Sequence, residues 1–247
     1  MKRLIRKTDC LLHIKTTGST MTDAIAILKA MNIKPASLLI IADKQSLSIG
    51  RNNSQWLSPA GGLWFTYCLK TNQISHQITL LLGLCLLRTI TYYYPGLEGK
   101  LQIKWPNDLI LEGKKLSGIL VQHQQGYLII GIGINTNNEP IDLDVPFPPV
   151  SLKQILDFEV ANMALLNTFL NNFHDLYPTF QVSGLQHFYQ DINISLLGLD
   201  KDLFFDTDKE QISGTCKGIS EDGALILEHE TGKQHLYYSG SIINISV

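Results

Sequence analysis

Apolar positions along the chain change their spacing several times, and each change marks an element. Ala24, Ile25, Ile27, Leu28 and Met31 recur at helical spacing, and the Thr20 to Asp23 separation is that of a capping box, so a short helix is predicted from Thr20 to near Asn32. Leu38 to Ala42 is an uninterrupted apolar run of strand type. Asp43 to Ala60 is polar and rich in Ser, Asn and Gly, a loop of about 15 residues, a length that usually serves function. Gly62 to Leu69 reads as a strand, and Ser75 to Tyr93 as a core helix stopped by Pro95 and Gly96. Leu101, Ile103 and Trp105 alternate with Gln102 and Lys104, the period of a half-buried strand. Turn residues at Trp105 to Asp108 and at Glu112 to Lys114 separate it from two further strands, Leu109 to Leu111 and Leu116 to Gln122, and Tyr127 to Ile134 follows. Links so short allow only antiparallel pairing, which predicts an α+β fold: a mixed, largely antiparallel sheet with helices packed on one face, not an alternating βαβ array.

Pro140 to Pro149 is an acidic, Pro-rich loop. Leu165, Leu166, Phe169, Leu170, Phe173, Leu176 and Tyr177 form a helical stripe that packs as core, and Pro178 is expected to end it. After Leu199 the chain switches to short alternating strands with turns at Asp222-Gly223 and Gly232, the pattern of a small β-barrel-like domain. Two domains are therefore expected, 1–197 and 198–247.

Of the 247 residues 45% are hydrophobic and 17% charged, against a usual charged share of about 25%, which excludes a disordered chain. Twenty Lys and Arg against 22 Asp and Glu leave no basic surplus to neutralise phosphates, so no nucleic acid partner is expected. The apolar run Ile78 to Leu87 is far short of the roughly 20 residues that cross a bilayer, so neither is a membrane. The first 15 residues lack the apolar stretch of a signal peptide, and the expected location is cytoplasmic. Cys10, Cys68, Cys85 and Cys216 form no CxxC pair and the histidines no HExxH, so reduced thiols and no structural metal are expected.

Four segments carry candidate chemistry: Gly18-Ser19-Thr20, Gln45 to Pro59, Lys104 to Leu120 (KWPNDLILEGKKLSGIL) and Gly131 to Asn137 (GIGINTN). The order GR, Trp, SPxGGL, KWPND, KLSGIL and GIGIN resembles the catalytic domain of biotin protein ligases. Gly214 to Ile219 with Gly223 to Leu225 resembles the SH3-like β-barrel at the C-terminus of the same enzymes. The resemblance runs from about Leu11 to Ile242, and KWPND followed by KLSGIL is its most specific part.

It implies a class II synthetase-like biotin/lipoate ligase fold and an enzyme that joins biotin to ATP as biotinyl-5′-adenylate, then passes biotin to a lysine of a carrier domain. ATP and Mg²⁺ carried by it would be required, and the partner would be the biotin carboxyl carrier domain of acetyl-CoA carboxylase or a related carboxylase. Such a reaction brings a carboxylate and a triphosphate together, so cations must offset the charge. Arg51 and Lys115 suit that as catalytic residues, although each could be a solvated surface charge. Ser19, Thr20 and Gln45 suit a neutral ureido ring, Thr20 also serving as a plain helix cap. The resemblance further implies biotin contacts for Ile49, Gly50, Arg51, Lys115, Gly118, Gly131 and Gly133; for Gly131 and Gly133 the residues agree, because glycines within a strand mark close approach of a ligand or another backbone. Nucleotide contacts are implied for Arg51, Trp56, Asn107, Asp108, Lys115 and Asn135; Trp56 could instead be a core anchor, and Asn107 and Asp108 could serve the turn alone.

Two features depart from the family pattern. The familiar loop GRGRRGRxW here reads SIGRNNSQW over Ser48 to Trp56, so Ser48 and Ile49 replace a Gly and an Arg, and Asn52 to Gln55 lack the usual glycine and cations. This bears on loop closure and adenylate retention, not on the reaction class. Only 18 residues precede Ser19, too few for the helix-turn-helix domain of members that also repress transcription, so a monofunctional type is expected. The rival readings are a lipoate or octanoate protein ligase of the same fold and a non-catalytic biotin-binding protein.

Overall fold

The structure is a computed structural model describing residues 8–73, 75, 77–141, 144–207 and 209–245. In chain order it contains β1 (Cys10–Thr17), α1 (Thr20–Ala30), β2 (Ser37–Gln45), β3 (Leu63–Lys70), α2 (Ile78–Tyr93), β4 (Leu101–Lys104), β5 (Asp108–Leu111), β6 (Lys114–Gln124), β7 (Tyr127–Ile134), α3 (Leu152–Leu156), α4 (Asn162–Ser183), α5 (Tyr189–Ile194), β8 (Asp202–Asp206), β9 (Gln211–Ile219), β10 (Leu225–Glu228), β11 (Gln234–Tyr237) and β12 (Ser241–Ile245). The chain divides into two compact units, one from Met1–Ile74, Lys114–Leu143 and Pro148–Asn171, the other from Ser75–Gly113, Asp144–Phe147 and Asn172–Val247.

In the first unit the strands run β1-β2-β3-β7-β6. β1 pairs parallel to β2 across α1, and the other neighbours pair antiparallel. The sheet is thus mixed and largely antiparallel, but β1-α1-β2 is a βαβ unit, and β1 went unrecognised because it alternates only weakly. Asp9 anchors this edge by accepting from the backbone N–H groups of Ala36 (2.8 Å) and Ser37 (3.1 Å). On one face of the sheet α1 buries Ala24 and Leu28 against Leu38, Ile40, Cys68 and Ile129. On the opposite face Phe65 meets Phe169 of α4 at 5.6 Å. Helices therefore cover both faces rather than one, which is why β7 is buried at every position and β3 over Leu63–Cys68, without polar alternation.

In the second unit β4 and β5 pair antiparallel and α2 packs on them. A five-stranded antiparallel sheet of order β11-β10-β9-β8-β12 forms the C-terminal part. Its core is partly aromatic: Phe205 lies 5.9 Å from Trp105 and 5.2 Å from Tyr237, and Trp105 Nε1 donates to the Gly223 carbonyl at 2.9 Å. Pro178 does not end α4, which runs on to Ser183 with Pro178 inside it. A helix-interior proline costs about 3 kcal/mol, and the buried neighbours Tyr177 and Phe180, stacked at 6.4 Å, offset it.

Candidate active site

On the face of the first sheet that carries α1, glycines take the place of side chains on β6 and β7 toward one end of the strands. The row Leu38, Cys68, Ile129 is apolar core. The next pairs Ile40 with Thr66, Thr66 with Gly131 and Gly131 with Leu120; the last pairs Ala42 with Trp64, Trp64 with Gly133 and Gly133 with Gly118. The missing side chains leave a floor on which others lie. A Cβ at Gly131 would stand 2.4 Å from Met21 Sδ, one at Gly133 2.5 Å from Trp56 Nε1, and one at Gly118 3.0 Å from Trp56 Cζ3. The Trp56 indole thus rests on the Gly118–Gly133 pair, edge-on to Trp64 at 6.5 Å. Lys115 Nζ sits over that indole, 5.2 Å from the ring centroid, within cation–π range. Trp56 Nε1, the indole atom that lies against Gly133, is buried with no hydrogen-bond partner among the described residues.

Beside this floor runs a chain of neutral polar groups. Thr20, at the first turn of α1, gives its backbone N–H to Gln45 Oε1 (2.8 Å); its hydroxyl lies 3.0 Å from the same oxygen and 2.8 Å from Thr66 Oγ1. Gln45 Nε2 donates to Ser58 Oγ at 3.0 Å, Ser58 Oγ lies 2.8 Å from Ser48 Oγ, and Ser48 Oγ donates to the Trp56 carbonyl at 2.7 Å. The capping box expected at Thr20 and Asp23 is absent. Ser19 is the N-cap without a side-chain bond, and the Asp23 carboxylate accepts from Thr17 Oγ1 (2.5 Å) instead, so Thr20 is turned inward.

The stretch read as a long polar loop carries local structure of its own. Antiparallel bridges join Gln45 to Ser58 and Ile49 to Gln55, and a short 3₁₀ turn spans Arg51–Asn53. Gly50 N–H donates to the Ser54 carbonyl (2.7 Å), and both the N–H and the hydroxyl of Ser54 donate to the Arg51 carbonyl (3.1 and 2.8 Å). Asn52 and Asn53 hold φ of 54° and 56°, the left-handed region that Asn tolerates best after Gly. Asn53 falls where the family pattern has a glycine.

Ser19, Thr20, Gln45, Trp56, Lys115, Gly118, Gly131 and Gly133 therefore meet in the first unit, with Ile49, Gly50 and Arg51 on the segment anchored by Trp56. Asn135, buried at the end of β7, donates its N–H to the Leu116 carbonyl (2.9 Å) and accepts from Asn138 Nδ2 (2.9 Å). Asn107 and Asp108 belong to the second unit, Asn107 in the turn between β4 and β5 and Asp108 as the first residue of β5; Asn107 N–H reaches the Lys104 carbonyl (3.2 Å) and Lys104 Nζ lies 3.7 Å from Asp108. Thr66, Met21, Ser48 and Ser58 also border the site and were not identified from sequence. Thr66 lies inside a run that is apolar on both sides of it, and the two serines lie outside any periodic run, so no sequence signal marked them.

Comparisons with known proteins place the chain in a family. Residues 206–243 match the biotin protein ligase C-terminal domain. A bifunctional ligase/repressor BirA of Bacillus subtilis is 30% identical over 219 residues, 84% of this chain and 66% of that protein, so the chain spans just under two thirds of that relative's length. A biotin–[acetyl-CoA-carboxylase] ligase of Paracoccus denitrificans is 26% identical over 233 residues, covering 88% of this chain and 94% of the relative. The structure of a biotin protein ligase from Aquifex aeolicus in complex with biotin and ATP superposes with a TM-score of 0.81 at 27% identity, over 96% of this chain and 98% of the other. Residues 14–137, the span that holds the glycine floor, the polar chain and Lys115, match the family described as Biotin/lipoate A/B protein ligase, and the chain belongs to that family.

Proposed function

We propose that this protein is a biotin protein ligase. The observation that carries the reading is the placement of unlike recognition elements on one glycine-opened face: the neutral Thr20–Gln45 pair by the Thr66–Gly131 row, and the Lys115 ammonium over Trp56 at the next. A ligand with a neutral ring that both gives and takes hydrogen bonds, an apolar middle and a terminal carboxylate matches that order, and biotin has this form. A lipoyl or octanoyl chain has no ring N–H or carbonyl with which to bond this polar chain, and so gains nothing from it.

In the first step a biotin carboxylate oxygen attacks the α-phosphorus of ATP, the bond to the β-phosphate oxygen breaks, and pyrophosphate leaves. Lys115 offsets the carboxylate charge and Arg51 the charge developing on the phosphate. Asn135 would offer its side chain to the nucleotide, and Mg²⁺ would arrive on the nucleotide and offset phosphate charge. In the second step a lysine amine of a biotin carboxyl carrier domain attacks the carbonyl carbon of the mixed anhydride, AMP leaves and the amine's extra proton passes to solvent. Positioning does the work, so no protein nucleophile is needed. Unpaired cysteines, three of them buried, accord with a cytoplasmic setting, and 20 basic against 22 acidic residues with a ligase that holds no DNA.

Pyrophosphate release that needs both biotin and ATP, together with mass spectrometry of a carrier domain incubated with ATP and either biotin or lipoate, tests the reading. A biotinyl mass on one lysine is expected. Modification by lipoate alone, or biotin binding without pyrophosphate, would replace it by one of the two rivals.

A further inference from the structure

The chain of polar groups beside the glycine floor ends on a residue with no assigned role. We infer that Ser48 is a positioning residue that ties the Arg51–Trp56 segment to Gln45 and so holds the adenylate; this rests on the biotin ligase reading. The hydrogen-bond directions are forced. Gln45 Oε1 faces the Thr20 backbone N–H, which can only donate, so Nε2 faces Ser58 as a donor. The Ser58 proton is then left for Ser48, and the Ser48 proton goes to the Trp56 carbonyl, which can only accept. Thr66 in turn gives its proton to Thr20, whose own goes to Gln45 Oε1. Six groups thus form one directional chain from β3 to the backbone of Trp56. Ser48 holds Trp56 twice, because its carbonyl also accepts the Trp56 N–H at 3.1 Å. Ser48 is 7% and Ser58 3% exposed, so water competes weakly for either hydroxyl.

A glycine at position 48, as in the family pattern, has no hydroxyl to end this chain. The segment here also lacks the cations that flank Arg51 in that pattern. A buried hydroxyl bonded to the far side of the pocket supplies the anchorage by other means. Removing it leaves the Trp56 carbonyl and the Ser58 proton without partners, and the indole that Lys115 covers loses one of its two backbone ties.

The test compares the parent with Ser48→Ala, Ser58→Ala, the double variant and Ser48→Thr, which keeps a hydroxyl. In the ligand-free protein, hydrogen exchange of residues 49–56 should rise about tenfold in Ser48→Ala, with residues 38–42 of β2 unchanged. With biotin and ATP, release of bound adenylate should quicken about tenfold and the KM for biotin should rise, while transfer from added adenylate to a carrier keeps its maximal rate. Ser58→Ala should behave alike, the double variant no worse than either single one, and Ser48→Thr as the parent. Unchanged exchange and retention in Ser48→Ala, or additive effects in the double variant, would overturn the inference. A parent that makes no adenylate would overturn the biotin ligase reading instead, and the exchange measurement would still decide the role of Ser48.

Discussion

Gly118 and Gly133 face each other across β6 and β7, and the place where Trp56 lies follows from their missing side chains. Gly133→Ala puts a methyl 2.5 Å from the indole nitrogen, so the ring must move. Overpacking of this kind costs about 1–3 kcal/mol, to be read from urea unfolding, and tryptophan emission should shift to longer wavelength as Trp56 leaves the floor. Lys115 and Arg51 differ in what holds them. Lys115 is set on β6, its N–H bonded to the Pro148 carbonyl at 2.8 Å and its ammonium over Trp56, while Arg51 rides on a short turn. Lys115→Ala should weaken biotin binding in calorimetry and slow adenylate formation; Arg51→Ala should slow adenylation with less effect on biotin binding without ATP. Each loss is expected at about 1.5–3 kcal/mol, one to two decades in rate or affinity. Lys115→Ala binding biotin and forming adenylate as the parent does would remove Lys115 from the pocket.

Helix ends show how local signals are overruled or kept. Thr20 and Asp23 have capping-box spacing, yet Gln45 and Thr66 offer Thr20 buried partners on the sheet, and these outcompete a local cap. Ser151 and Gln154 have the same spacing and form the full box: Ser151 Oγ accepts from Gln154 N–H, and Gln154 Oε1 accepts from Ser151 N–H at 2.9 Å. Ser151 is wholly buried, so Ser151→Ala should lower stability by about 1 kcal/mol, seen as a lower urea midpoint with unchanged slope. An unchanged midpoint would show that α3 is held by Leu152 alone.

Both units bury acidic groups in protonated form. Burial pushes the thiols of Cys68, in the first unit, and Cys85, in the second, up to about 12 from 9.0. It also pushes the Tyr67 phenol up to about 12 from 10.0, against a smaller lowering by the hydrogen bond with Ser37. As pH rises above 9 the unfolded chain loses these protons while the folded chain keeps them, so stability that is complete below pH 9 falls progressively toward pH 12. Melting temperatures between pH 8 and 11 should decline, and Cys68→Ala should shallow the decline. Iodoacetamide at pH 8 should label half-buried Cys10 well before Cys68 or Cys85. Equal labelling of all three in the native protein would contradict this.

Strands with strong apolar runs and turn residues between them were legible along the chain, because β2, β3, β5 and β7 carry near-continuous runs of apolar residues, and links as short as those between β4 and β5 and between β6 and β7 allow only antiparallel pairing. The glycines within β6 and β7 and the motif around Lys115 likewise stood out in the sequence as part of the candidate site. Tertiary structure alone decided the rest. β1 has too little alternation to be read as a strand until β2 pairs with it, and Pro178 stays inside a helix because Tyr177 and Phe180 are buried around it. Thr66, Ser48 and Ser58 acquire meaning only when distant segments bring their hydroxyls together. A hydrogen-bond chain depends on direction and distance between side chains, and neither quantity is written in the spacing of residues along one strand.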